Sequence, residues 1–115
     1  MLLLLVVSCK NEDKKEPQSP KTAQTPIELG REIFEDKAGC ATCHLPQQKV
    51  VGPSIVEIAK IYKNKNASIA KFLKGNEDPL VDPGQFDVMK ANFAITQAMT
   101  NQEQQAVEAY MLSFK

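Results

Sequence analysis

The sequence predicts an all-α domain on three observations. Two helix-start signatures lie near the ends of its folded part, apolar residues recur at three-four spacing, and strand-type alternation is absent. Thr25-Pro26-Ile27-Glu28 opens the first helix. Thr25 caps it, Pro26 is tolerated in the first turn because its missing N–H would find no partner there, and Glu28 completes a capping box. Ile27, Gly30, Phe34 and Ala38 follow at helical spacing until Gly39 stops the helix. Residues 55–62 and 67–73 read as two shorter helices, the second ended by Gly75. Thr100-Asn101-Gln102-Glu103 is another capping box, and Ala106, Val107, Tyr110, Met111 and Phe114 then form one amphipathic face.

At 115 residues the chain has room for one domain. Fourteen Lys and Arg balance fourteen Asp and Glu, which argues against a nucleic-acid binder held by phosphate contacts. The hydrophobic share of 43% with seven prolines suits a globular domain plus a disordered part. The longest apolar stretch, residues 1–7, is about a third of the roughly 20 residues a membrane span requires.

The N-terminus differs in kind from the rest. Residues 1–8 read as an export signal, to be set aside in fold reasoning. With Cys9 they resemble the end of a bacterial lipoprotein signal, Val6-Val7-Ser8-Cys9 standing as the lipobox. The run is short and no basic residue precedes it, as a start codon assigned too far downstream would leave it. The resemblance implies lipidation of Cys9 and anchoring to a membrane, since more than one acyl chain holds stably; the plain alternative is a greasy terminus with a free thiol. A lipidated Cys9 and a flexible tether are expected over residues 9–24, for residues 10–24 hold four lysines, three acids and two prolines with little to bury. Those 15 residues span on the order of 20 Å as a coil. The folded domain is then residues 25–115.

The chemistry concentrates in Cys40-Ala41-Thr42-Cys43-His44, which contains the single histidine of the chain. Two thiols three residues apart reach the two vinyl groups of a haem from one side, and the adjacent histidine turns an imidazole nitrogen to the iron. The string is that of c-type haem attachment. A zinc site would need four ligands, and the adjacent Cys43 and His44 are awkward partners on one tetrahedral ion. A redox-active dithiol would want alternating strands and helices around it. A structural disulfide would leave the histidine unexplained.

Together with its surroundings this motif resembles the class I cytochromes c, the small monohaem bacterial ones in particular. The resemblance covers residues 25–115. It rests on a first helix with Gly30 and Phe34, the attachment motif, Val51-Gly52-Pro53 after it, a late methionine, and a closing helix bearing Tyr110. It implies one covalent haem c with iron held at Cys40 and Cys43, and first and last helices that cross where Gly30 lets Phe34 and Tyr110 pack closely. His44 becomes an axial ligand whose other nitrogen bonds the carbonyl of Pro53, although Gly52-Pro53 also reads as a plain turn before a helix. The sixth ligand is a methionine. Met89, in what reads as a loop after two prolines and Gly84, stands where the family's ligand does, with Val88 and Lys90 where relatives often carry proline. Met99 is the alternative, while Met111 belongs to the apolar face of the last helix. Ile55, Ile58, Phe72, Leu73, Leu80 and Phe93 are expected around the haem.

A His/Met iron leaves no open position for a small-molecule substrate and has a raised reduction potential. The implied function is a single-electron carrier rather than an enzyme, monomeric, in a bacterial respiratory chain. It would be tethered on the periplasmic side of the envelope, or be soluble there, and serve a membrane complex, terminal oxidase or reductase. The alternative is a haem enzyme or sensor, peroxidase-like or gas-binding, opened by loss of the Met89 bond. Residues 49–74 carry six lysines and one acid. That face is either a solvated helical surface or one that steers docking to an acidic redox partner.

Overall fold

Thr25 starts the first helix through both bonds of its capping box: the backbone N–H of Thr25 donates to the Glu28 carboxylate across 2.8 Å, and that of Glu28 to the Thr25 hydroxyl across 3.2 Å. The computed structural model describes residues 23–115; the signal, Cys9 and the tether as far as residue 22 lie outside the described residues. Helix α1 is Pro26–Glu32, and it widens into a π-helical turn over Ile33–Lys37, closed by a 2.8 Å bond from the Ala38 N–H to the Ile33 carbonyl. Gly39, with φ +64°, takes the left-handed conformation that ends the run. The inward face of this helix is Gly30, Ile33 and Phe34. Ile27, expected on that face, is 47% exposed, because the first turn overhangs the core.

Ser54 caps α2, Ile55–Lys65, which closes at Asn66 in the left-handed region. Helix α3 is Ile69–Leu73, starting two residues later than its sequence suggests. Its start is fixed by Ser68 and by a carboxylate from afar: Glu108 accepts from the Ser68 hydroxyl at 2.8 Å and from the Ala70 N–H at 2.9 Å. A 3₁₀ turn at Pro83–Gln85 leads into α4, Phe86–Lys90, and α5, Phe93–Gln97. The segment that reads as a Met89 loop is therefore helical, for Pro83 presets the backbone for a helical turn and the chain continues through it. Helix α6, Asn101–Leu112, begins at the second capping box. Among the described residues there is no strand, only an isolated antiparallel bridge between His44 and Lys49. The fold is all-α.

Helices α1 and α6 form the most extensive helix–helix contact. A side chain on Gly30 would run into the backbone carbonyl of Ala106 and stand 2.8 Å from Cβ of Tyr110. Only a residue without Cβ permits that approach. The Phe34 ring, 1% exposed, then meets Tyr110 with centroids 5.5 Å apart. Burying a ring of that size contributes about 2–3 kcal/mol. Ile33, Ile55 and Val107 complete the most deeply buried set. Helix α5 is tied to this body by Thr96, whose hydroxyl donates to the Leu73 carbonyl at 2.7 Å and whose own carbonyl accepts from Gln104 at 2.9 Å.

Candidate haem site

The segment after α1 folds back on itself around the attachment motif. Cys40–Thr42 is a 3₁₀ turn, and the N–H groups of Cys43 and His44 both donate to the Cys40 carbonyl, at 3.1 and 3.0 Å. This turn places Cys40 and Cys43 on the wall of one cleft, together with His44. The returning chain is locked to the motif by three backbone bonds: Gly52 N–H to the Cys43 carbonyl at 2.9 Å, Ile55 to Leu45 at 2.9 Å, and Val56 to Pro46 at 3.0 Å. Pro53 lies between these bonds, and its carbonyl meets Nδ1 of His44 at 2.8 Å. A carbonyl only accepts, so Nδ1 is the donor in this bond and Nε2 is the ring nitrogen left for another partner. Gly52 lies under the same ring, where an added Cβ would stand 2.5 Å from Cε1.

The cleft is apolar nearly throughout. Phe34, Ile58, Tyr62, Ile69, Phe72, Leu73, Leu80, Val107 and Met111 line its depth, with Val51, Val81, Val88 and Ile95 among the other apolar residues of its wall. The space between its walls, open mouth included, is about 1120 Å³. Asp82, Gln85, Asn92 and Thr96 are its polar lining apart from the motif itself. Burial pushes the Cys40 thiol above its ordinary pKa, with the nearby Cys43 adding to the rise. That is the reverse of the lowered value a reactive dithiol needs. Among the described residues no group of three or more His, Cys, Asp and Glu side chains is placed to hold a metal ion by itself.

Of the methionines, Met89 lines the cleft from α4 and Met111 from α6, whereas Met99 packs against the core and is not part of the wall. Ile58, Phe72, Leu73 and Leu80 stand where the sequence suggests. Ile55 and Phe93 do not line the cleft: Ile55 is buried elsewhere in the core, and Phe93 backs the rings of Phe72 and Phe86. The wall residues that sequence reasoning missed are chiefly Phe34, Val107 and Met111, whose helical spacing identifies them as core. They are core and cleft wall at once, because the cleft is the centre of the domain.

A planar apolar macrocycle with two thiol-reactive edges and a metal that takes a neutral imidazole fits these residues: two unpaired cysteines on one lip, one free imidazole nitrogen, and an apolar slot closed over by short helices. Comparison with known proteins agrees. The family model described as Cytochrome c matches residues 27–115. A stretch of 41 residues, 36% of this chain, is 54% identical to a protein named cytochrome c2 from Rubrivivax gelatinosus and spans 42% of that relative's length. The chain belongs to the cytochrome c family, whose cofactor is covalently bound haem c with its iron.

Proposed function

We propose that residues 25–115 are a single-electron carrier in which Cys40 and Cys43 would hold the haem by thioether bonds and His44 and Met89 would ligate its iron. Bound haem supplies an iron that gains and loses one electron; the chain's own residues decide how. The bond from His44 Nδ1 to the Pro53 carbonyl sets the ring's rotation and leaves Nε2 as the nitrogen that would meet the iron. Met89 supports the sixth-ligand reading because it lines the same cleft from α4. Met111 lines the cleft as well, but from the apolar core face of α6, where it is 5% exposed. If His44 and Met89 both bound the iron, the protein would leave no place on it for a substrate. The apolar walls would keep water from the bound group.

The observation that carries this reading is the joint presence of two cysteines, an imidazole held through Nδ1 and a thioether on the wall of one apolar cleft. A pyridine haemochrome spectrum of the purified protein is expected to show two thioether-linked vinyl groups. In oxidised protein a near-infrared thioether-to-iron band is expected, lost in Met89→Ala and kept in Met99→Ala. A band that survives Met89→Ala overturns the ligand assignment.

Residues 9–24 supply a tether from a lipidated Cys9, holding the carrier at the periplasmic face of a bacterial membrane beside its redox partners. No helix among the described residues is long and apolar enough to cross a membrane. Labelled fatty acid is expected to enter the wild-type protein in growing cells and to be absent from Cys9→Ala.

A further inference from the structure

Helix α4 has little of its own to hold it in place. It is five residues long, far below the length at which a helix is stable alone. Gln85, which precedes it, makes no side-chain cap; the Phe86 N–H donates to the Pro83 carbonyl, and the Met89 carbonyl accepts from Asn92 at 2.9 Å. Val88 is 52% exposed. The side chains α4 turns toward the cleft include Phe86 and Met89, three positions apart and so neighbours on one helical face. Phe86 is held by two rings from two other helices: its centroid lies 6.2 Å from Phe72 of α3 and 5.9 Å from Phe93 of α5, while Phe72 and Phe93 are 5.5 Å apart. The interplanar angles of 54°, 64° and 74° are tilted or edge-to-face, the arrangement in which aromatic quadrupoles attract. Phe93 does not reach the cleft wall, so its contribution passes through the other two rings.

We infer that Phe72, Phe86 and Phe93 form a three-ring clamp that positions Met89, and that Phe93 is a positioning residue for the sixth ligand although it stands outside the site. The inference rests on the reading of Met89 as that ligand. The clamp converts an uncapped, one-turn helix into a fixed support, so the thioether is presented at one place rather than sampled over several. Loosening the clamp raises the fraction of time the sixth position is open, and an added ligand competes for it in proportion.

The test is imidazole binding to oxidised, haem-loaded protein, followed by loss of the near-infrared thioether band. Phe93→Leu removes two ring contacts while keeping the position apolar, and is expected to raise imidazole affinity about tenfold. Phe86→Leu reads the same clamp from α4 and is expected to give the same shift, and Phe93→Tyr, which keeps the ring, to stay within about twofold of wild type. Phe114→Leu removes a comparable edge contact, to Tyr110 at 5.1 Å and outside the three-ring cluster, and is expected to leave imidazole affinity unchanged. An unchanged affinity in both Phe93→Leu and Phe86→Leu, or an equal rise in Phe114→Leu, overturns the clamp. A thioether band that persists in Met89→Ala overturns the ligand reading instead, and the clamp with it.

Discussion

The Pro53 carbonyl and Nδ1 of His44 are 2.8 Å apart, and Gly52 is what lets the imidazole lie that close to the returning chain. A Cβ at position 52 would stand 2.5 Å from Cε1 and 2.8 Å from Nδ1 of the ring. The backbone there is bonded to Cys43 and cannot retreat, so the ring must move. Gly52→Ala is expected to destabilise the haem-loaded protein by about 1–3 kcal/mol and to shift its reduction potential. Denaturant unfolding and potentiometric titration measure the two effects, and an unaltered potential would show that the ring has not moved.

The α1–α6 crossing depends on Gly30 in the same steric way. Gly30→Ala drives a methyl group into the Ala106 carbonyl and against Tyr110, with backbone on one side and no flexible side chain to yield. A loss of about 3 kcal/mol or more is expected in chemical denaturation. Gly84→Ala is the matched control: its Cβ would meet nothing closer than an Asp82 oxygen at 3.7 Å, and a change below about 0.5 kcal/mol is expected.

The cleft is the middle of the core, so a chain that cannot hold haem covalently leaves its apolar walls facing water. A domain of this size has little other core to rely on. The double variant Cys40→Ala, Cys43→Ala is expected to be largely unfolded by far-ultraviolet circular dichroism. A cooperative thermal transition in that variant without haem would contradict the expectation.

Two tyrosines link stability to alkaline pH. Burial pushes the Tyr62 hydroxyl up to about 12, with the negative charges of Glu77 and Glu108 adding to it. Burial likewise raises Tyr110 to about 12, helped by the 2.9 Å bond it donates to the Glu35 carboxylate. A folded pKa above the unfolded value near 10 means the neutral hydroxyl is favoured by folding. The contribution is whole below about pH 10 and is lost as pH rises toward 12. In urea melts at pH 9 and 11.5, the wild type is expected to lose more stability between the two than the double variant Tyr62→Phe, Tyr110→Phe. Equal losses would refute the linkage.

Charge on the middle helices bears on partner encounter. Lys49 is engaged with Asp82 at 3.1 Å, and Lys63 reaches the Phe114 carbonyl at 3.4 Å. Lys60, Lys65 and Lys71 remain exposed on α2 and α3. Electron transfer to an acidic partner is expected to slow as salt rises. Replacing these three by Gln is expected to lower the low-salt rate about tenfold and to flatten its salt dependence. Stopped-flow rates at two ionic strengths decide it; a rate indifferent to salt removes the steering role.

Much of this protein is local, and local features are legible in one dimension. The capping boxes at Thr25 and Thr100, the stop at Gly39 and the three-four face of the last helix each follow from bonds made within a few residues. The attachment motif is local too, since a single turn brings Cys40, Cys43 and His44 together. Position 89 is different. Its five-residue helix has no cap to announce it, and the rings that hold it come from helices α3 and α5.

By itself the sequence determined the helical class, the starts of the first and last helices, and the turn that brings Cys40, Cys43 and His44 together, because short-range hydrogen bonding decides those. Only the tertiary structure decided that Ile55 and Phe93 stand back from the cleft while Phe34, Val107 and Met111 line it, and that Met89 rides on a helix rather than a loop. A side chain's apolar character says that it will be buried; which buried surface it meets is set by how the helices cross, and that crossing turns on the room Gly30 leaves beneath Ala106.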